Sequence, residues 1–129
     1  MNKIALYIEL KDGQIKPANF GMISAASKNQ ETELYAIILS GEADEHQDVL
    51  EEHGVQKIVH IPTDKIQKQG HPELYAALIM EVMHHFGIHI LLGLTTPHGK
   101  DLLPRIAAAL GASHLKASAA VTEPGPKPL

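Results

Sequence analysis

Residues 88–111, IHILLGLTTPHGKDLLPRIAAALG, constrain this chain more than any other stretch. Ile88 to Leu94 is an almost unbroken apolar run, the pattern of a parallel strand covered on both faces, with His89 its only polar side chain. Thr95-Thr96-Pro97-His98-Gly99 then reads as a turn, because proline fixes one backbone torsion and glycine frees another. From Lys100 onward, Leu102, Leu103, Ile106, Ala107 and Leu110 recur at helical spacing, and Gly111 stands where a helix stops.

The rest of the chain repeats that order. Residues 3–10 and 33–40 are apolar runs that read as buried strands, and residues 55–61 form a shorter one closed by Pro62. Asp12-Gly13 signals a turn, and Ile15 begins a short return strand before Pro17. Helices are expected from Pro17 to Lys28, with Phe20, Ile23 and Ala26–Ser27 at helical spacing, and over residues 44–53, with Val49 and Leu50 inward. A longer helix starts at His71-Pro72-Glu73, with Leu74, Ala77, Leu78, Val82 and His85 or Phe86 inward and Gly87 as its stop. Residues 64–70 read as polar connection and residues 115–121 as a weak edge strand. Alternating strands and helices imply right-handed crossovers, and hence a mainly parallel sheet between two helix layers. We expect an α/β, three-layer α/β/α sandwich over residues 1–121 and a proline-rich tail or linker over residues 122–129.

Composition narrows the function. The chain has no cysteine, which excludes disulfides and thiolate chemistry. Aromatic residues are 4% of the chain, the net charge is −4, and no basic run occurs, so nucleic acid is not an expected partner. No apolar run approaches the ~20 residues that a membrane span needs. Glu9 interrupts the opening MNKIALYIEL, which lacks the apolar core of a signal peptide. The default expectation is a cytoplasmic protein without membrane insertion.

Ligands of such sheets sit beyond the carboxyl ends of the strands, where strand order reverses. The small-molecule candidate there is Thr95, Thr96, His98, Gly99 and Lys100, an anion or nucleotide loop at a helix N-terminus. The simpler reading is that Thr96 or His98 caps the helix and Lys100 is solvated. No phosphate-binding glycine motif accompanies the loop. Nine histidines raise the question of a metal, but His85 and His89 are separated by the helix-ending Gly87, and His84 and His85 diverge on a helix. His89 reads as a hydrogen-bonded core or strand-end residue. Asp101 and Arg105 have the spacing of a surface ion pair. No nucleophile–base pair stands out, and no catalytic or metal residue is assigned.

The run from Gly99 resembles the segment that ends the N-terminal domain of electron-transfer flavoprotein alpha subunits, G-[KR]-D-L-x-P-R-[LI]-A-x-x-L-G-A. The match is at Gly99, Lys100, Asp101, Leu102, Pro104, Arg105, Ile106, Ala107, Leu110, Gly111 and Ala112. Asp12-Gly13 with Lys16-Pro17-Ala18, the stretch Glu52 to Ile58, and Leu91 to Thr96 resemble the same domain in the same order, with Asn19 in place of the usual serine. The resemblance implies an adenine-nucleotide alpha-hydrolase-like sandwich that serves as a non-catalytic scaffold in electron transfer. It also implies a beta-type subunit as partner and FAD held by a separate FAD-binding domain, in cis or in trans, with none bound by this chain alone. No cofactor residue carries over. The alternative is a small adenine-nucleotide-binding protein of universal-stress type, using the loop at residues 95–100.

Overall fold

Simple alternation along the strands divides the apolar residues between two cores. In the computed structural model, which describes residues 2–28, 31–39, 46–62, 72–112 and 118–122, the elements follow in order. They are β1 (Asn2–Tyr7), β2 (Leu10–Lys11), β3 (Gln14–Ile15), α1 (Ala18–Ala26), β4 (Thr32–Leu39) and α2 (Gln47–Glu52). β5 (Lys57–Ile61), α3 (Pro72–Phe86), β6 (Ile90–Leu94), α4 (Pro97–Ala112) and β7 (Ser118–Thr122) complete the chain. Among the described residues, five strands form one sheet in the order β5-β4-β1-β6-β7, with every pairing parallel.

Successive side chains of a strand point to opposite faces. Ala5, Tyr7, Tyr35, Ile37 and Leu91 therefore meet Ala76, Ile79 and Met83 of α3 and Leu102, Leu103 and Ile106 of α4. Leu6, Ile8, Leu34, Ala36, Ile38 and Leu94 meet Met22, Ile23 and Ala26 of α1 and Leu50 of α2 on the other side. Each fully buried leucine or isoleucine contributes about 1.5–3 kcal/mol. The expected three-layer α/β/α sandwich is the fold observed.

The strand order reverses between β1 and β6, because α1 and α2 lie on one face and α3 carries the chain to the other. This switch point is where the carboxyl ends of two neighbouring strands open onto a crevice.

Several boundaries and faces differ from the sequence expectations. β1 stops at Tyr7 rather than Leu10, because Leu10 belongs to the hairpin in which Leu10 and Lys11 pair with Ile15 and Gln14. Asp12 and Gly13 both take positive φ, 52° and 78°, as the tight two-residue hairpin turn requires. In α2, Leu50 is buried while Val49 faces solvent. α3 turns a different stripe inward than expected. Ala76, Ile79 and Met83 are buried, with Leu78, Val82 and Phe86 half-buried beside them and Leu74, Ala77 and His85 outside. The stripe Ala76-Ile79-Met83 follows the helical repeat as well as the expected one does, and packing against Tyr35 and Leu91 decides between them. α4 begins at Pro97, not Lys100, and runs through Gly111 to Ala112. β6 is shorter than the apolar run, and of the two expected places for His89, core or strand end, it takes the second, exposed just before Ile90. β7 includes Thr122, which the sequence reading placed in the tail. The expected connection over 64–70 and the tail beyond Thr122 lie outside the described residues.

Candidate functional site

The end of β1 meets the start of α4 through Glu9. Its backbone leaves the sheet after Ile8, whose N–H still donates to the Ile37 carbonyl at 3.0 Å. The hairpin then doubles back, and the Lys16 N–H donates to the Glu9 carbonyl at 3.1 Å. Asn19, fully buried in the first turn of α1, fastens the same point. Its Oδ1 accepts the Glu9 N–H at 3.1 Å, and its Nδ2 donates to the carbonyls of Glu9 at 2.8 Å and Lys16 at 2.9 Å. These bonds satisfy backbone groups that the sheet no longer reaches.

Fixed in this way, the Glu9 side chain points across the switch point and is only 3% exposed. Lys16 Nζ lies 2.9 Å from Oε1, forming an ion pair whose cation stays 29% exposed. Thr96 Oγ1 donates to Oε2 at 2.6 Å. The same hydroxyl oxygen accepts the Gly99 N–H at 3.0 Å, so Thr96 is the N-cap of α4. A Cβ at Gly99 would fall 2.0 Å from the Leu94 carbonyl oxygen and 3.3 Å from Glu9 Oε2. Only glycine lets α4 start so close to β6 and to the carboxylate. Glu9 thus places its negative charge at the positive end of α4, where the helix dipole favours it.

Beside this network opens a cleft of about 270 Å³, lined by Tyr7, Glu9, Leu10, Lys16, Leu39 and His98 among others. The Tyr7 hydroxyl and His98 Nε2 are 2.7 Å apart across its wall. Burial, then the charge of Glu9, then Tyr75, push the Tyr7 phenol well above the usual tyrosine range. Tyr7 therefore remains a neutral phenol in hydrogen-bond contact with the His98 ring.

The structure therefore brings Thr96, His98 and Gly99 together at the switch point. Thr95 is half-buried at the end of β6, while the Lys100 side chain is exposed and its N–H donates to the Thr96 carbonyl at 2.8 Å. The sequence reading missed Tyr7, Glu9, Lys16 and Asn19. The one sequence signal is a lone acid closing an apolar strand, which marks Glu9 but not the partners that give it a role.

Outside the crevice, Arg105 Nη2 lies 3.2 Å from Asp101, as the spacing predicts, and its Nη1 reaches Glu73 of α3 at 3.8 Å. Among the described residues no three His, Asp or Glu side chains gather as metal ligands, and no helix is long and apolar enough to cross a membrane.

A family model described as the electron transfer flavoprotein domain matches residues 4–126. No curated protein matches the chain. That match takes in all five strands of the sheet but for the first two residues of β1, with the crevice and α4, and the chain belongs to the electron transfer flavoprotein domain family.

Proposed function

We propose that this chain is the scaffold domain of an alpha-type subunit, pairing with a beta-type subunit in FAD-dependent electron transfer. The observation that carries the reading is the use the fold makes of the signature run in α4. Gly99 seats the helix on β6, while Leu102, Leu103 and Ile106 fill the core. Lys100, Asp101, Pro104 and Arg105 face outward, and Asp101 and Arg105 join Glu73 in a charged surface suited to a second subunit. The signature thus builds a helix and presents a charged face.

FAD is held outside this chain in this reading. The residues at the switch point do not fit its pyrophosphate, because the Glu9 carboxylate lies against the first turn of α4, where a phosphate would sit. The same geometry weighs against the universal-stress-type alternative, which needs the loop at residues 95–100 for a nucleotide phosphate.

Equilibrium dialysis of the purified chain against FAD, and separately against AMP, tests the reading. We expect neither to be retained. Stoichiometric FAD in the chain alone would overturn it, and stoichiometric AMP would favour the alternative.

A further inference from the structure

Proline has no backbone N–H, and its ring crowds the carbonyl four residues earlier. α4 nonetheless runs from Pro97 to Ala112 with Pro104 in its interior. The Lys100 carbonyl therefore lacks the donor that an α-helix would give it, the N–H of residue 104. Lys100 and Pro104 are both exposed, which puts this acceptor on the outer face of α4 beside Asp101 and Arg105. We propose that Pro104 keeps the Lys100 main-chain carbonyl open, and that a side-chain N–H donor of the second subunit bonds it on assembly. The inference rests on the scaffold reading and adds to it the chemistry of one contact.

Pro104 belongs to neither core cluster, and the start of α4 is already fixed by Thr96 and Gly99. Proline is the least favourable residue in a helix interior and alanine the most favourable, so folding alone would favour alanine at this exposed position. The benefit of a proline lies in the acceptor. While the face is exposed, water satisfies the Lys100 carbonyl at little cost. Once a second subunit covers the face, an unpaired carbonyl becomes costly, so the covering surface must bring a donor. The Asp101 carboxylate, one residue on and 49% exposed, is a second acceptor on the same face. A guanidinium, with its fixed fork of N–H groups, is the donor that fits both.

The test compares wild type with Pro104→Ala and Pro104→Leu, each of which restores an N–H at position 104. The melting temperature of each chain is measured alone, and each chain is titrated with the second subunit recovered from the wild-type complex. Both substitutions are expected to raise the melting temperature, by about 5 °C or more. The amide introduced at position 104 should be protected from hydrogen exchange, because it bonds the Lys100 carbonyl. That bond draws the carbonyl back along the helix and away from the partner. Both substitutions are therefore expected to weaken assembly by about tenfold, the loss of one hydrogen bond to a covered acceptor.

Recovery of affinity by Pro104→Leu alone overturns the inference, since the partner would then read the bulk of the side chain rather than the carbonyl. A melting temperature that does not rise overturns it too, because the proline would then serve the fold. Wild type that recruits no second subunit removes the scaffold reading and this inference together. Wild type that assembles, with Pro104→Ala assembling equally well, removes this inference alone and leaves the scaffold reading standing.

Discussion

Glu9 and Thr96 lie 87 residues apart in sequence and 2.6 Å apart at the switch point, where one hydrogen bond ties the end of β1 to the N-cap of α4. Thr96 serves two partners through one oxygen, donating to Glu9 and accepting from Gly99. Thr96→Ala is expected to cost about 2 kcal/mol, the upper end for a lost cap, because it also removes a hydrogen bond to a buried carboxylate. Thr96→Ser keeps both bonds and should stay within about 0.5 kcal/mol of wild type. Urea denaturation followed by circular dichroism measures both, and equal losses in the two variants would refute the double role.

The two glycines that face α4 and β6 should respond differently to alanine. At Gly99 helix propensity alone favours alanine by about 1 kcal/mol. The added Cβ, however, meets the Leu94 carbonyl oxygen at 2.0 Å, and backbone cannot swing away. Gly99→Ala is therefore expected to destabilise by about 3 kcal/mol, the top of the range for overpacking. Gly93→Ala meets Leu103 Cδ1 at 2.5 Å, the far end of a flexible side chain, and about 1 kcal/mol should suffice. A Gly99→Ala protein as stable as wild type would mean that α4 does not start against β6 as described.

Alkaline stability follows from two tyrosines. The folded Tyr7 phenol is held well above its unfolded value by burial and by Glu9. Burial and the Glu33 carboxylate push Tyr35 up to about 12. A raised phenol pKa means that the native state keeps a proton that the unfolded chain gives up. The stabilisation is fully present below pH ~10, the unfolded value, and is lost as pH rises toward the folded values. Each tyrosine contributes a slope of about 1.4 kcal/mol per pH unit in that window. Urea midpoints between pH 9 and pH 11, roughly bracketing the unfolded value, should fall about half as steeply in Tyr7→Phe as in wild type. An unchanged slope would contradict the burial of Tyr7 as a neutral phenol.

Most of the fold was legible because burial on both faces of a parallel strand writes itself as an apolar run. Leu34 to Ile38 and Leu91 to Leu94 announce central strands, and Leu102, Leu103 and Ile106 announce the inward face of α4. The inward face of α3 was not legible in the same way. Its apolar residues surround much of the helix, so periodicity fits more than one stripe, and Ile79 and Met83 are chosen by the partners they find across the sheet. At the switch point the cap Thr96 could be read locally, since capping involves residues three apart. Glu9 could not, because its role depends on Lys16, Asn19 and Thr96, which only the strand order β4-β1-β6 brings around it.

Arg105 separates stability from assembly. Its ion pairs with Asp101 and Glu73 are largely solvent-exposed, so Arg105→Ala should change stability by no more than about 0.5 kcal/mol. If the α3–α4 surface meets a second subunit, the same substitution should weaken assembly about tenfold or more, as truncating an interfacial arginine does. Co-purification with the partner, run beside a urea melt, distinguishes the two effects. Wild-type assembly by Arg105→Ala would move the proposed interface elsewhere.

Native mass spectrometry of the assembly isolated through this chain from its own cells, with an absorption scan of the same sample, tests the central claim most directly. We expect a flavin-containing complex with a second subunit, and dissociation in the gas phase to release this domain free of flavin. A lone chain carrying stoichiometric FAD or an adenine nucleotide would contradict the scaffold reading.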